Sequence, residues 1–370
     1  MPHTQTPTPP ASLNFSHILQ QWYARHARTL PWRGTSDAYH IWLSEVILQQ
    51  TRVEQGRAYY ERFTHLFPTI EALATASEQE VLTAWQGLGY YSRARNLHKT
   101  ARLIAQSGHF PNDFTTLRTL PGIGDYTAAA IASLAYNLPH AVVDGNVYRV
   151  LSRIYGIDTP IDTNDGRRVF KDLAHQLLDT QHSATHNQAL MDFGATVCTP
   201  RAPHCHECPF HTHCAVIADG RDAEDLPKKA HRQNVTQRHF AYVFIYYNNS
   251  LLLHQRGAGD IWHGLFEPLL FETAQPLAAT QVFKQTCDTL QLSPEEGTFQ
   301  QIAEQMRHQL THRLILTDAF RLHLTHTAPL LPKGYTWVNT DKLHEYPLPR
   351  LITRILEQHN RKKNDNQKIT

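Results

Sequence analysis

Cysteine is scarce in this chain, five residues in 370, and methionine scarcer still at three. So few thiols exclude a disulfide framework as the source of stability. Charged residues make up 18% of the sequence and the formal net charge is only +2, too small to argue for nucleic acid by itself. No apolar run approaches the roughly eighteen residues that a membrane-crossing helix needs. The first ten residues lack a charged segment followed by an apolar core, so no export signal is expected. The G-x-G-x-x-G and GK[ST] loops of nucleotide-binding folds are also missing. The 25 histidines are scattered and read mostly as surface and packing residues. Reduced thiols and no signal point to the cytoplasm.

Against that scarcity, four of the five cysteines fall within seventeen residues: Cys198, Cys205, Cys208 and Cys214, spaced C-x6-C-x2-C-x5-C. Thiolates this close in a cysteine-poor chain read as one metal site. Four sulfur ligands suit zinc or an iron–sulfur cluster. Zinc sites usually show two CxxC pairs, and only Cys205–Cys208 is such a pair here, so the spacing favours iron and leaves zinc open.

At this length two or three domains are expected. Residues 1–12, rich in Pro and Thr, are expected to be disordered. Residues 13–214 read as helical throughout: apolar spacings of three and four predict helices over 13–26, 38–66, 70–76, 78–86, 92–107, 114–117, 125–134, 146–155, 166–178 and 182–196. The charged stretch 215–236 reads as a linker. Residues 237–360 read as an α+β domain, with strands over 239–247, 251–255, 313–317 and 320–325 and helices over 277–289 and 350–358. A basic, disordered tail is expected over 361–370.

Three features carry chemistry. Leu-Pro-Gly-Ile-Gly at 120–124, followed by Asp125-Tyr126, is a glycine hairpin between helices. Gly122 and Gly124 let backbone approach a partner, and the following helix start favours an anion such as a nucleic-acid phosphate; a plain tight turn is the alternative. Asp144 stands just before the helix that opens near Asn146, where Asp is commonly a cap. Glu45 sits in IWLSEVIL, among bulky apolar residues, where a carboxyl is pushed toward its protonated form and can donate a proton. Two carboxylates in different surroundings are what departure of a group from a sugar requires, and on a nucleic-acid base that chemistry needs the base flipped out.

LPWR at 30–33, WLSEVILQQT at 42–51, GLGYYSRARNLH at 87–98, LPGIGDYTA, VDGNVYRV and the four cysteines together make the chain resemble the adenine DNA glycosylase (MutY) family of helix–hairpin–helix glycosylases. The resemblance runs from about residue 13 to 358. It implies an all-α helix–hairpin–helix glycosylase domain with a 4Fe-4S cluster on Cys198, Cys205, Cys208 and Cys214, and a Nudix-like lesion-recognition domain behind it. It implies Glu45 as the acid that protonates adenine N7 and then activates water, and Asp144 as the carboxylate that stabilises the charged sugar. Tyr126 and Asn146 match residues supporting that centre; Trp32 and Arg33 belong to the matching LPWR motif, and Arg33 and Gln188 match positions lining the adenine pocket. Gln49, Gln50 and Tyr90 fall where the family inserts side chains into the opened duplex. His308, Thr311 and His312 match the element that meets 8-oxoguanine; where the family commonly has Phe-Ser-His, this chain has Leu310-Thr311-His312. Tyr148 stands where some relatives carry Lys. The implied partner is double-stranded DNA with 8-oxoguanine:adenine or guanine:adenine mispairs, bound by a monomer at the nucleoid, with the linker a candidate for docking replication or repair proteins.

Three rivals are weighed against this. An endonuclease III-like lyase needs an amine nucleophile in the hairpin helix, and Tyr126 stands there. A Nudix pyrophosphatase needs a helix of carboxylates for magnesium, and residues 257–300 lack one. A non-enzymatic iron–sulfur DNA-binding protein would leave Glu45 and Asp144 purely structural.

Overall fold

The computed structural model describes residues 14–230, 235–325, 329 and 331–367, with side chains as far as 359. The disordered segment expected over 1–12 lies outside the described residues. Of the described residues, those within 1–75 and 96–232 form one compact unit, and those within 76–95 and 233–370 form a second.

The first unit is helical: α1 (Phe15–His26), α2 (Ala38–Leu48), α3 (Val53–Leu66), α4 (Ile70–Thr75), and, outside the segment that joins the second unit, α6 (Ser92–Ser107) from residue 96 on, α7 (Phe114–Thr119), α8 (Asp125–Tyr136), α9 (Gly145–Tyr155), α10 (Asn164–Leu177), α11 (Ser183–Thr196) and α12 (Ala215–Ala218). Nearly every residue of α2 is buried, Glu45 among them, as expected of a helix that is apolar all round. The single helix expected over 38–66 is broken: Gln50 adopts φ 55° and the Thr51 N–H bonds back to the Leu48 carbonyl. No glycine or proline announces the break, because a glutamine occupies the left-handed position where glycine is usual. Around α1, α8, α9, α10 and α11 a second core gathers Leu19, Val150, Phe170 and Phe193.

The expected linker is not loose over most of its length. Val216 and Leu226 are buried, the Leu226 carbonyl accepts from Arg153 Nε at 3.3 Å, and the described residues up to 230 belong with the helical unit. Besides these two apolar anchors, Arg221 pairs with Asp158 at 2.6 Å and the Ile161 N–H donates to the Lys228 carbonyl at 3.0 Å.

The second unit holds a seven-stranded sheet: β1 (Thr236–Tyr247), β2 (Ser250–Gln255), β3 (Phe266–Glu267), β4 (Leu269–Thr273), β5 (Gly297–Gln309), β6 (Arg313–Leu324) and β7 (Tyr335–Asn339). The path is β3-β2-β1-β6-β5, with β4 on β1 and β7 on β2. β1 and β6 pair in parallel; the other pairs are antiparallel. Side chains alternate across β1. Phe240, Tyr242 and Phe244 pack with Leu351, Ile352 and Ile355 of α14 (Arg350–Gln367), while Ala241, Val243 and Ile245 pack with Val282 and Leu290 of α13 (Ala279–Leu290). Helices on both faces explain why HFAYVFIYY reads as a continuous apolar run. β5 escaped detection because GTFQQIAEQMRHQ is mostly polar and bulged, with Gln305 at φ 44°. The tail expected to be disordered from 361 is helical through Gln367, continuing a helix whose first turns are anchored by Leu351, Ile352 and Ile355 despite the weak helix formers Asn364, Asp365 and Asn366. α5 (Glu78–Ala84) belongs to this unit: Gln79 and Thr83 donate to the Glu345 carbonyl at 3.0 and 3.2 Å, and Arg95 donates to the His263 carbonyl at 2.6 Å. Among the described residues no helix is long and apolar enough to cross a membrane.

Candidate active site

A pocket of about 720 Å³ opens in the helical unit between α2, the 120–124 hairpin, the start of α9 and α11. Glu45 reaches it from α2, and Tyr126 from the first turn of α8 donates its hydroxyl to Glu45 Oε2 at 2.6 Å. Burial raises the Glu45 carboxyl above its ordinary value; the Tyr126 hydrogen bond and the Arg33 charge oppose this, and the Asp144 charge adds to it. Burial likewise raises Tyr126 well above its usual range, so the phenol keeps its proton.

Asp144 is both a helix cap and a pocket residue. Its Oδ1 accepts from the Val147 N–H at 2.8 Å, the N-cap geometry of α9, and its Oδ2 accepts from Asn146 Nδ2 at 2.7 Å. Burial raises its carboxyl, against these donors and the Arg149 charge, which favour the anion. The loop before Asp144 is held from α11: Asn187 Oδ1 accepts from the Val142 N–H at 3.1 Å while its Nδ2 donates to the His140 carbonyl at 2.8 Å. Thus the one carboxyl has several donors and the other one hydroxyl, two environments around a single cavity.

The structure brings together in this pocket Glu45, Asp144, Tyr126, Asn146, Trp32, Arg33, Gln49, Gln50, Gly122, Gly124 and Gln188. Trp32 is largely buried, edge-on to Tyr60 at 5.4 Å, and is among the residues lining the pocket. Gln49 and Gln50 occupy the break after α2, and Gln49 Nε2 donates to Thr127 Oγ1 at 3.2 Å. Gly122 needs its freedom: φ is +77° and an added Cβ would lie 2.7 Å from Asn96 Cβ. At Gly124 an added Cβ would meet nothing within 4 Å, and this residue starts α8 with no side-chain cap.

The four cysteines line a separate cavity walled by Ile154, Phe193, Val197 and Val216. Their loop is wound in two short 3-10 turns, Cys205–Glu207 and His211–His213. Phe210 anchors it, stacked on Phe15 at 4.8 Å. Burial pushes the Cys208 thiol up to about 12, and Cys198, Cys214 and Cys205 push it the same way, so the four sulfurs sense one another. Arg153 Nη1 donates to Cys198 Sγ at 3.5 Å and Arg149 Nε to the Cys198 carbonyl at 2.7 Å. Among the described residues no three His, Cys, Asp or Glu side chains are gathered closely enough to grip a single metal ion.

Tyr90, His308, Thr311 and His312 belong to the second unit. Thr311 and His312 form the two-residue tip between β5 and β6, closed by the Leu310 N–H on the Arg313 carbonyl at 2.7 Å. The Tyr90 hydroxyl lies against that of Thr311. His308 packs its ring on Trp262 at 5.8 Å, and burial lowers its pKa. Leu310 packs toward the sheet core.

Three residues escaped the sequence reading. Asp192, its side chain fully buried, ion-pairs with Arg28 at 2.6 Å and Arg33 at 3.0 Å. Its signal was the one that exposed Glu45, a lone carboxylate in an apolar run (ALMDFGA). Arg149 and Tyr23 carry no sequence signal, since each acts through partners distant in the chain.

Residues 43–175 match the model of the HhH-GPD superfamily of base excision DNA repair proteins, and residues 241–358 that of the NUDIX domain. An adenine DNA glycosylase of Buchnera aphidicola subsp. Acyrthosiphon pisum is 29% identical over 95% of this chain and 98% of its own. One from Buchnera aphidicola subsp. Baizongia pistaciae is 35% identical, covering 69% of this chain and 73% of its own. The human adenine DNA glycosylase is 43% identical over 54% of this chain and 39% of its own. Among solved structures, a thermostable thymine-DNA glycosylase superposes with a TM-score of 0.52 at 28% identity, covering 55% of this chain and 95% of that one.

Proposed function

The chain belongs to the adenine DNA glycosylases of the helix–hairpin–helix superfamily, and on that premise we propose that it hydrolyses the N-glycosidic bond of adenine mispaired with 8-oxoguanine or guanine in duplex DNA. The observation that carries this reading is the buried Glu45 carboxyl, held by Tyr126 in the same pocket as Asp144. A flipped adenine enters that pocket, which is roomy enough for a base and its sugar. Glu45 gives its proton to N7, the C1′–N9 bond breaks with its electron pair moving to the base, and Asp144 stabilises the cationic sugar. Water then attacks C1′ and yields its proton to the Glu45 carboxylate. Tyr126 orients Glu45 and Asn146 orients Asp144. Tyr126 stands where a lyase would carry an amine, so strand cleavage is not part of the reaction.

DNA contact falls to the hairpin. The open space at Gly124 and the uncapped N–H groups beginning α8 suit a backbone phosphate. Gln49 and Gln50 fill the stack vacated by the flipped base, and Tyr90, His308, Thr311 and His312 read the opposite base. Cys198, Cys205, Cys208 and Cys214 would hold a 4Fe-4S cluster. The four thiols line one apolar cavity, and Arg153 donates to Cys198 Sγ, a contact that would favour the thiolate a cluster ligand needs. When bound, the cluster would fix the loop that carries these four cysteines. Adenine release from duplexes with each base opposite, with and without alkali, tests the assignment. Release opposite 8-oxoguanine and guanine, with nicking only after alkali, is expected; no adenine release, or nicking without alkali, overturns it.

A further inference from the structure

The hydrogen bonds behind the pocket form a one-way relay. Asp192 Oδ1 accepts from Arg28 Nη2 at 2.6 Å, Arg28 Nε at 3.0 Å and Arg33 Nη2 at 3.0 Å. Arg33 Nη1 reaches the Tyr23 hydroxyl at 3.0 Å, and that hydroxyl reaches the Gln188 amide at 3.0 Å. A guanidinium only donates, so the Tyr23 oxygen is an acceptor toward Arg33. Its single proton is then committed to Gln188. An amide nitrogen cannot accept it, so the atom facing Tyr23 must be Oε1. Burial raises the Tyr23 pKa, which keeps that proton in place. Gln188 and Asp192 are one turn apart on α11 and share a face, and α1 is pinned alongside by Trp22 edge-on to Phe193 at 5.2 Å.

We propose that Tyr23 is a positioning residue that fixes the sense of the Gln188 amide, and through it makes the pocket accept adenine and refuse bases of opposite hydrogen-bonding polarity. The proposal rests on the pocket being the adenine site. An amide free to rotate by half a turn exchanges its donor and acceptor, and so complements either polarity. An amide locked at Oε1 presents them in one order only. Adenine carries a donor at N6 beside acceptors at N1 and N7, whereas hypoxanthine and guanine carry an acceptor at O6 beside a donor at N1. One locked order therefore matches adenine and leaves unpaired groups against hypoxanthine. Mismatched buried polar groups are the strongest source of discrimination such a pocket has.

The test is single-turnover release of adenine and of hypoxanthine, each opposite 8-oxoguanine, by the full chain and by Tyr23→Phe, Gln188→Leu and the double variant. Tyr23→Phe removes one oxygen and keeps the ring. It is expected to narrow the adenine-to-hypoxanthine ratio by about tenfold or more, and in the Gln188→Leu background to change the ratio no further. A ratio unchanged in Tyr23→Phe, with any loss shared equally by both bases, overturns the proposal, as does a further narrowing in the double variant. Wild-type protein that releases no adenine would instead overturn the function itself.

Discussion

Arg149 donates from Nε to the Cys198 carbonyl at 2.7 Å, and the same guanidinium donates from Nη2 to Asn146 Oδ1 at 2.9 Å. Asn146 in turn donates to Asp144 at 2.7 Å. One arginine therefore ties the cysteine loop to the proposed sugar-stabilising carboxylate. Helix α9 makes the link possible, since Asn146 and Arg149 are one turn apart.

Replacing Arg149 by lysine keeps the charge but loses the fork that spans both partners. Adenine release should slow by about 10- to 100-fold, the usual cost of removing an outer support of a reactive centre. Affinity for a duplex carrying an uncleavable adenine analogue should change much less. Single-turnover kinetics beside a binding titration separate the two. Removing the iron with a chelator should act in the same direction, with trypsin cutting earlier within residues 198–214. An apo protein with an unchanged cleavage pattern there would deny the loop its dependence on a cluster.

Glu45 sets activity against stability. Its folded pKa is raised by burial, so the native state holds a proton that the unfolded chain releases near its ordinary value of about 4.3. Stability from this group is fully present below that value and is lost as pH rises through the folded pKa. Glu45→Gln removes the penalty. The variant should lose adenine release by about 10²–10⁴-fold, yet melt at a higher temperature than wild type at pH 8, with the gap closing toward pH 4. A gap independent of pH would show that Glu45 does not carry a raised pKa in the folded protein.

The two hairpin glycines should respond differently to the same substitution. Gly122→Ala meets Asn96 at 2.7 Å with φ at +77°, so it should cost about 1–3 kcal/mol of stability. Gly124→Ala meets nothing within 4 Å at φ −89°, so its melting temperature should stay near wild type. If a phosphate approaches that backbone, Gly124→Ala weakens DNA binding across all sequences alike. Equal DNA affinity in a folded Gly124→Ala protein would leave the hairpin a simple turn.

The residues of the candidate pocket were legible because they carry local signatures. Glu45 is a charge in an apolar helix, Asp144 precedes a helix start, and the hairpin spells out its turn residues. The strands of β1 and β2 were legible from their apolar runs. What stayed hidden depends on distant partners or on positions that break a local rule. Arg149, Asp192 and Tyr23 matter only because α9, α11 and α1 pack together. The break after α2 rests on a non-glycine residue at positive φ, and β5 is polar because much of it faces solvent. Residues 76–95 group with the second unit through hydrogen bonds to carbonyls more than 160 positions away, which no periodicity reports.

The Thr311 hydroxyl at the β5–β6 tip is held against the Tyr90 hydroxyl, while Leu310 packs toward the sheet core, so Thr311 and the exposed His312 are the polar side chains of this tip. 8-Oxoguanine differs from guanine at the N7 and O8 edge, where a hydroxyl can bond to either partner of the change. Thr311→Ala should therefore lower the ratio of adenine release opposite 8-oxoguanine to that opposite guanine by about 3- to 10-fold, the worth of one hydrogen bond, mainly by slowing the first. Tyr90→Phe, which keeps the ring and loses the oxygen that orients Thr311, should shift the ratio in the same direction by a smaller factor. Rates measured on the two duplexes side by side decide it: a ratio unchanged in Thr311→Ala removes the residue from lesion reading, and one changed only in Tyr90→Phe transfers the role to the tyrosine.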